Sequence, residues 1–319
     1  MEDVRFRLST AERHHIIISS IINALSLVVV GLRIYSRRFT GAGTGWDDIF
    51  IVVAAMLGNL LLILFGYSCS VVPEIHQLIA EKMGLLQPFL YLFFVSHTLF
   101  LLCICFIKLS VLSFYLRVFA VEGRLRTLCL GIAAAFVLWS AANIIALLNI
   151  CRPLASFWGP LHDRACARQE AVDVSICVFN AVSDLLLIAL PMPVIWRLQM
   201  RRSLKVKLAA VLSLGVVVTI IAILRLKALL ETDWEGDVTG TAERAMFLSV
   251  LEPNLAILCV SLPMLQPLYG NLLYGGSRKR ASDVELQDSN ETRPSPTRDT
   301  INNKKKDSYD ELEASGVSF

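Results

Sequence analysis

The stretch AAVLSLGVVVTIIAIL, residues 209–224, contains no charged side chain. It lies within an apolar run over residues 208–229. A helix that rises 1.5 Å per residue needs about 20 such residues to cross a hydrocarbon core of about 30 Å. Buried helices of soluble proteins usually run shorter and carry a polar face. The stretch therefore predicts a transmembrane helix.

The same pattern recurs along the chain of 319 residues, which is 55% hydrophobic and has a mean hydropathy of +0.61. A β-barrel is not indicated, because its strands would alternate in polarity over about ten residues between turns. The predicted fold class is all-α, a polytopic membrane protein with seven transmembrane helices. The other six predicted spans are 16–36, 49–70, 89–112, 127–149, 174–195 and 246–270.

The connecting segments differ in their content of Lys and Arg. The segments that follow spans one, three, five and seven hold 13 of these residues in 45 positions, against 8 in 71 positions for the others. Because cytoplasmic loops carry an excess of Lys and Arg, we expect the N-terminus outside and the C-terminus in the cytosol. The plasma membrane is the expected location, with another endomembrane as the alternative.

Three regions follow from this topology. Residues 1–15 form a short extracellular N-terminus, residues 16–275 form the membrane domain, and residues 276–319 form a cytoplasmic tail. The last 39 residues contain nine acids, five bases and almost no apolar clusters. Such a composition cannot bury a core, so we expect the tail to be disordered.

Charged side chains inside the spans need partners, because an ion in the membrane interior is costly. Lys108 and Asp184 lie at a similar distance from the inner ends of their helices, so an ion pair between them is geometrically possible. Arg225 and Glu252 lie near the outer ends of helices six and seven, so a second pair is equally possible. One interpretation is that both pairs only fix helix register and packing.

The alternative interpretation is functional. The outer pair would line a ligand pocket that opens outward, with Asn180 and His97 as further polar lining, while the inner pair would act as a conformational latch. In that case Glu252→Gln should abolish a ligand response and leave folding nearly intact. His97 by itself is more typical of a hydrogen-bonded core residue than of a metal or haem ligand.

Cysteines and prolines add two expectations. Cys151 and Cys166 share an outer loop that faces an oxidising compartment, so a disulfide between them is predicted, and a pairing through Cys69 is the alternative. Pro253 and two later prolines are expected to break helix seven, because proline removes a backbone donor.

No catalytic constellation is visible. The chain contains no HExxH or GxSxG sequence and no HxxxH pair. Retinal needs a lysine deep in a helix, and the seventh span has none. The sequence predicts a protein that is not an enzyme, binds no metal or cofactor, and recognises no nucleic acid.

Several short sequences, spread over most of the spans, resemble those of a known family, the fungal rhodopsin-domain integral membrane proteins. This family includes the satratoxin-cluster membrane protein and receptor-like surface sensors of plant-pathogenic fungi. The matching residues are RIYSR (33–37), GWDD (45–48), KLSVLSFYLRVF (108–119), CRP (151–153), Trp158, NAVSD (180–184), LPMPVIWRL (190–198), Leu214-Gly215 with Arg225, and LPMLQPLY (262–269).

The resemblance implies a seven-helix bundle like that of a G-protein-coupled receptor, and it does not imply retinal. Tyr115 and Arg117 then lie where a receptor's third helix meets the cytosol. Arg117 is either a contact for a cytoplasmic transducer or an anchor that reaches the membrane interface. Asp47 and Asp48 suit the positive N-terminal end of helix two and are within reach of Arg37 or Arg117.

The leading functional hypothesis is a receptor-like or sensor-like membrane protein that binds an unknown small molecule within the lipid bilayer. The first alternative is a transporter or an accessory membrane protein associated with fungal secondary-metabolite biosynthesis. The second is a membrane-embedded biosynthetic enzyme that uses Asp184 or Glu252 as an acid or base.

Overall fold

The computed structural model describes residues 10–39, 43–78, 86–118, 123–151, 154, 169–190, 202–231 and 238–265. These residues form seven α-helices, and no β-strand is found among them. The helices are α1 Thr10–Phe39, α2 Trp46–Leu78, α3 Leu86–Val118, α4 Gly123–Leu148, α5 Gln169–Ala189, α6 Arg202–Leu230 and α7 Val238–Ser261. A 3-10 turn over Leu262–Leu265 follows α7.

Six of these helices are long and apolar enough to cross a membrane, so the chain is a multi-pass membrane protein. They are α1 to α5 and α7. The predicted span 208–229 falls within α6, a helix of 29 residues. The side chains of residues 202–214 in α6 lie outside the described part of the chain.

The helices turn apolar side chains outward, as a bundle in lipid requires. Ile21 is 62% exposed, Met56 69% and Leu138 70%. The membrane segments of α3 and α7 are the most buried of the six. Helix α7 packs against α1, α2, α3 and α6, whereas α3 packs against α2, α4 and α7. Polar residues on α3 and α7 therefore face the interior of the bundle.

Amide side chains join α1, α2 and α7. Asn23 on α1 donates to Asn59 on α2 at 3.0 Å. Ser26 donates to the side-chain oxygen of Asn254 on α7, also at 3.0 Å. Hydrogen bonds between side chains are a common means of helix association in membranes, where the hydrophobic effect does not drive helices together.

Of the three prolines expected to break helix seven, Pro253 does not do so, the helix ends just before Pro263, and Pro267 lies outside the described residues. Pro253 lies inside α7, which continues without interruption to Ser261. The helix gives way to a 3-10 turn only at Leu262. The prediction that Pro253 breaks the helix is wrong, because a transmembrane helix tolerates proline where neighbouring groups satisfy the freed carbonyl.

The predicted disulfide lies partly outside the described residues, because Cys166 is among those that the structure does not describe. The cysteines with free thiols are Cys69, Cys103, Cys105, Cys129, Cys177 and Cys259. Cys151 is buried and is not one of them. The alternative through Cys69 is therefore not seen, and the bond between Cys151 and Cys166 stays a prediction. The tail, residues 276–319, also lies outside the described residues.

Candidate functional site

A polar cluster surrounds the buried ammonium group of Lys108 on α3. Its Nζ lies 3.2 Å from Asp184 Oδ1 and donates to Asn180 Oδ1 at 2.7 Å. It also donates to the backbone carbonyl of Asn180 at 3.2 Å and to the hydroxyl of Ser183. Residues three and four apart share one face of a helix, so α5 presents all three acceptor residues to α3 together. The structure thus brings Lys108 and Asp184 together as an ion pair, which the sequence indicated as possible.

Asn180 connects this cluster to the second pair. Its Nδ2 donates to Glu252 Oε1 on α7, and Glu252 Oε2 lies 3.1 Å from Arg225 Nε on α6. We call Asp184, Lys108, Asn180, Glu252 and Arg225 the central polar chain. It ties together α3, α5, α6 and α7 in the interior of the bundle.

Arg225 is buried in contact with Glu252 and with the ring of Phe100. Its side chain is 1% exposed and that of Glu252 is 0% exposed. The guanidinium carbon lies 3.9 Å from the centre of the Phe100 ring, a cation–π contact. Its Nη2 has no hydrogen-bond partner among the described residues. A buried donor without a partner is uncommon and often marks a place where water or a ligand binds.

A second set of unsatisfied polar atoms lies close to Arg225. His97 Nε2 on α3 lies 3.7 Å from Asp173 Oδ1 at the start of α5. His97 Nε2 and both carboxylate oxygens of Asp173 are buried and have no hydrogen-bond partner among the described residues. His97 and Ser96 line a cavity of about 20 Å³, which has room for about one water molecule.

A larger interior cavity borders the inner pair, Lys108 and Asp184, and not the outer pair, Arg225 and Glu252. It has a volume of about 90 Å³ and lies between α3, α5, α6 and α7. Lys108 and Asp184 line it together with Tyr115, and most of its other walls are apolar. A pocket that is mainly apolar with a few polar groups is typical of small-molecule sites. Arg225 and Glu252 line neither of these two cavities.

The opposite end of the polar interior is closed by arginines and aspartates. Arg33 on α1 contacts Asp47 Oδ2 at 2.7 Å and Asp48 Oδ1 at 2.9 Å, and its side chain is 0% exposed. Arg37, one helical turn further, contacts Asp47 and lies 3.1 Å from Asp48 Oδ2. We call these four residues the arginine–aspartate clamp. Ser110 on α3 joins it by donating to the backbone carbonyl of Asp47 at 2.7 Å.

Three of the four residues predicted at the cytoplasmic interface are buried inside the bundle. Asp47, Asp48 and Tyr115 are buried, and the hydroxyl of Tyr115 donates to the carbonyl of Leu187 at 3.2 Å. Arg117 is partly exposed, with Nη1 3.6 Å from Asp47 Oδ1. Of the four, Arg117 alone presents a sizeable part of its side chain at the surface of the bundle.

Some site residues escaped sequence reasoning. Arg33 was expected to need a partner, and its contact with both aspartates was not foreseen, although the spacing of Arg33 and Arg37 by one turn was a usable signal. The sequence pattern gives no signal for the position of Asp173 beside His97. No group of three or more His, Cys, Asp or Glu side chains is arranged to hold a metal ion in the part of the chain that the structure describes.

A model of the family described as "Fungal rhodopsin domain" matches residues 32–271. The chain belongs to this family. The match includes the arginine–aspartate clamp, the central polar chain and both interior cavities, so the polar interior is part of the fungal rhodopsin domain.

The chain is also similar to individual fungal proteins. "Polyenoic acids biosynthesis gene cluster protein Ba17b" of Metarhizium anisopliae is 26% identical over 84% of this chain and 79% of its own length. A "SAT4 family membrane protein" of Emericella nidulans is 33% identical over 38% of this chain and 32% of its own length. "Phomoidride biosynthesis cluster protein H" from a fungal species is 25% identical over 56% of this chain and 72% of its own length. No solved structure matches the chain significantly.

Proposed function

We propose that this fungal rhodopsin domain is a receptor-like or sensor-like protein with seven transmembrane helices, no retinal and no catalytic chemistry. Its N-terminus lies outside, and its C-terminus faces a cytoplasmic transducer across the plasma membrane. The observation that carries the proposal is the central polar chain, which links four helices through two ion pairs and borders the 90 Å³ cavity.

The chain of contacts gives a ligand a means of changing the bundle. A small, mainly apolar molecule with an anionic or acceptor group would compete with Asp184 for Lys108. A ligand shifts a conformational equilibrium only if it binds the two states with different affinity. A ligand that replaces the Lys108–Asp184 ion pair between α3 and α5 would bind the two states of the bundle with different affinity.

The arrangement speaks against acid–base catalysis by Asp184 or Glu252. Glu252 is fully buried against Arg225 and accepts from Asn180. Asp184 is matched by Lys108. A general acid or base must reach the proton that it transfers, and both carboxylates are engaged by cations instead.

The test uses a change that fills the cavity. Val218 on α6 lines it and is 6% exposed, whereas Val217 beside it faces outward at 46% exposure. Organic extract of the source fungus's culture medium should raise the melting temperature of the wild-type protein and of Val217→Phe. It should leave Val218→Phe unchanged. If the extract shifts the melting temperatures of Val217→Phe and Val218→Phe equally, this cavity is not the ligand site.

The names of the relatives favour a second candidate, an accessory membrane protein or transporter beside a secondary-metabolite pathway. Two of the three relatives described above carry the name of a biosynthesis cluster. A deletion strain distinguishes the candidates. If the protein is a sensor, the deletion strain should lose the change in transcript levels that added extract causes. The uptake of metabolites into its membrane vesicles should stay normal. A transporter changes the accumulation of a metabolite in those vesicles, and its loss leaves the transcript response intact.

A further inference from the structure

A third cavity lies outside the polar interior, at the end of the bundle that carries the arginine–aspartate clamp. It has a volume of about 470 Å³ and is formed by the start of α2, the end of α3 and the start of α4. Its walls are largely apolar or aromatic, with Trp46, Phe50, Leu116 and Leu130 among them. We call it the α2–α3–α4 groove.

Two arginines give the groove a positive rim. Arg117 and Arg126 both line it. Among the described carboxylates, Asp47 also lines the groove and lies 3.6 Å from Arg117, and Asp47 and Asp48 both contact Arg33 and Arg37 in the clamp. Arg33, Arg37, Arg117 and Arg126 together outnumber Asp47 and Asp48 among the residues described at this end of the bundle. Arg126 also stands in the first turn of α4, where the helix dipole adds positive potential.

The surroundings of the groove expose several apolar side chains. Trp46 is 71% exposed, Ile49 51%, Leu128 54% and Leu130 52%. In a bundle that spans a membrane, exposed apolar side chains of this kind contact acyl chains, and tryptophan prefers the level of the headgroups. The groove therefore joins an apolar surface to a cationic rim at the boundary between the two.

We propose that the α2–α3–α4 groove binds an anionic phospholipid. Its phosphate is held by Arg117 and Arg126, and an acyl chain lies along Phe50 and Leu130. A soluble phosphate would match the arginines and leave the apolar walls without a partner, whereas a phospholipid satisfies both. Basic pockets between transmembrane helices are known to bind lipid headgroups on the cytoplasmic side, the side that the proposed topology assigns to this end.

The experiment measures lipid binding to the purified full chain. Native mass spectrometry in neutral detergent compares phosphatidylserine with phosphatidylcholine of the same acyl chains. The wild type should retain phosphatidylserine in preference. Arg126→Gln should lower its affinity about fivefold, the effect of one cationic side chain near a membrane surface, and Arg126→Lys should keep most of it.

Arg13→Gln is the matched control, because Arg13 is an exposed arginine at the opposite end of α1 from the clamp. Melting temperatures of all variants show that folding is preserved. Brominated phosphatidylserine should quench the fluorescence of the wild type more strongly than that of Trp46→Phe, which locates the lipid at the groove.

Three results would overturn the proposal: equal phosphatidylserine binding by Arg126→Gln and Arg13→Gln, equal retention of both lipids by the wild type, or displacement of the lipid by inorganic phosphate. The first would leave the groove as a candidate contact for a cytoplasmic protein. The third would identify a site for soluble anions.

Discussion

At the scale of single residues, the hydrogen-bond acceptors of Lys108 among the described residues come from one neighbouring helix. Asp184, Asn180 and Ser183 all belong to α5. Lys108→Met should therefore cost about 3–5 kcal/mol, because it leaves Asp184 unpaired and frees the other acceptors. Asp184→Asn should cost less, about 1–2 kcal/mol, because Lys108 keeps Asn180 and Ser183. Thermal unfolding of detergent-solubilised variants measures both.

The double variant Lys108→Met with Asp184→Asn tests whether the two charges act as a pair. Its loss of stability should be smaller than the sum of the two single losses, because the second change removes a charge that the first left unpaired. Additive losses would show that the two side chains stabilise the bundle independently.

Glu252 leads to a second prediction, which differs from the one that a pocket role implies. Because Glu252 is 0% exposed and faces Arg225, Glu252→Gln leaves a buried guanidinium without a counter-charge and should cost about 3 kcal/mol. Glu231→Gln is the control, because Glu231 is 56% exposed in its pair with Lys227 and should change stability by less than about 0.5 kcal/mol. If the melting temperature of Glu252→Gln equals that of Glu231→Gln, the outer pair does not hold the helices together.

Depth along a helix was enough to identify two of the charged pairs as possible. Lys108 with Asp184 and Arg225 with Glu252 follow from counting residues to the helix ends. The link through Asn180 could not be foreseen in this way, because it depends on how α5 is rotated about its own axis. The cavity beside the inner pair depends on the same rotation together with side-chain packing, neither of which the apolar pattern specifies.

At the scale of elements, the start of α2 is fixed by its own sequence. Gly45 precedes the helix, and its backbone N–H donates to Asp48 Oδ2 at 3.2 Å, as in a capping box. A Cβ at Gly45 would lie 2.4 Å from Asp47 Oδ1. Gly45→Ala should therefore displace Asp47 from the clamp and lower the melting temperature.

Gly31→Ala is the comparison for this change. A Cβ at Gly31 meets nothing within 4 Å, and alanine favours the helix by about 1 kcal/mol over glycine. Gly31→Ala should leave the melting temperature unchanged or raise it. A matching decrease in both variants would mean that the clamp geometry is not what Gly45 protects.

The positions of helices were easier to foresee than their ends. The apolar runs 49–70 and 89–112 lie within α2 and α3, which extend well beyond them to Leu78 and Val118. Apolarity reports only the part of a helix in contact with the hydrocarbon core, whereas backbone hydrogen bonding continues into the interfacial region. The end of α7 was harder still, because proline changes the local geometry without always ending a helix.

At the scale of the whole molecule, the distribution of Lys and Arg predicts the orientation in the membrane. An epitope tag after Phe319 should become accessible to antibody only when the plasma membrane is permeabilised, whereas a tag before Met1 should be accessible in intact cells. A correctly located protein with the opposite pattern of access would reverse the orientation, and with it the side on which the α2–α3–α4 groove meets lipid.

The segment that is predicted as an outer loop leads to a covalent prediction. Mass spectrometry of unreduced tryptic peptides should find those of Cys151 and Cys166 joined. Cys69 carries a free thiol, so its peptide should be labelled by alkylating reagents after denaturation without reduction. A bond between Cys69 and Cys151 would refute the pairing.

The arginine–aspartate clamp also constrains how the chain is made. Arg33 is fully buried, and both of its carboxylate partners belong to the next helix, 14 and 15 residues later. A ribosome adds that length within a few seconds at about 5–20 residues per second. Until then α1 carries a charge that lipid does not solvate. We therefore expect α1 and α2 to leave the insertion machinery together as a hairpin. A chain that stalls between them exposes Arg33 without its carboxylate partners, which quality control can recognise.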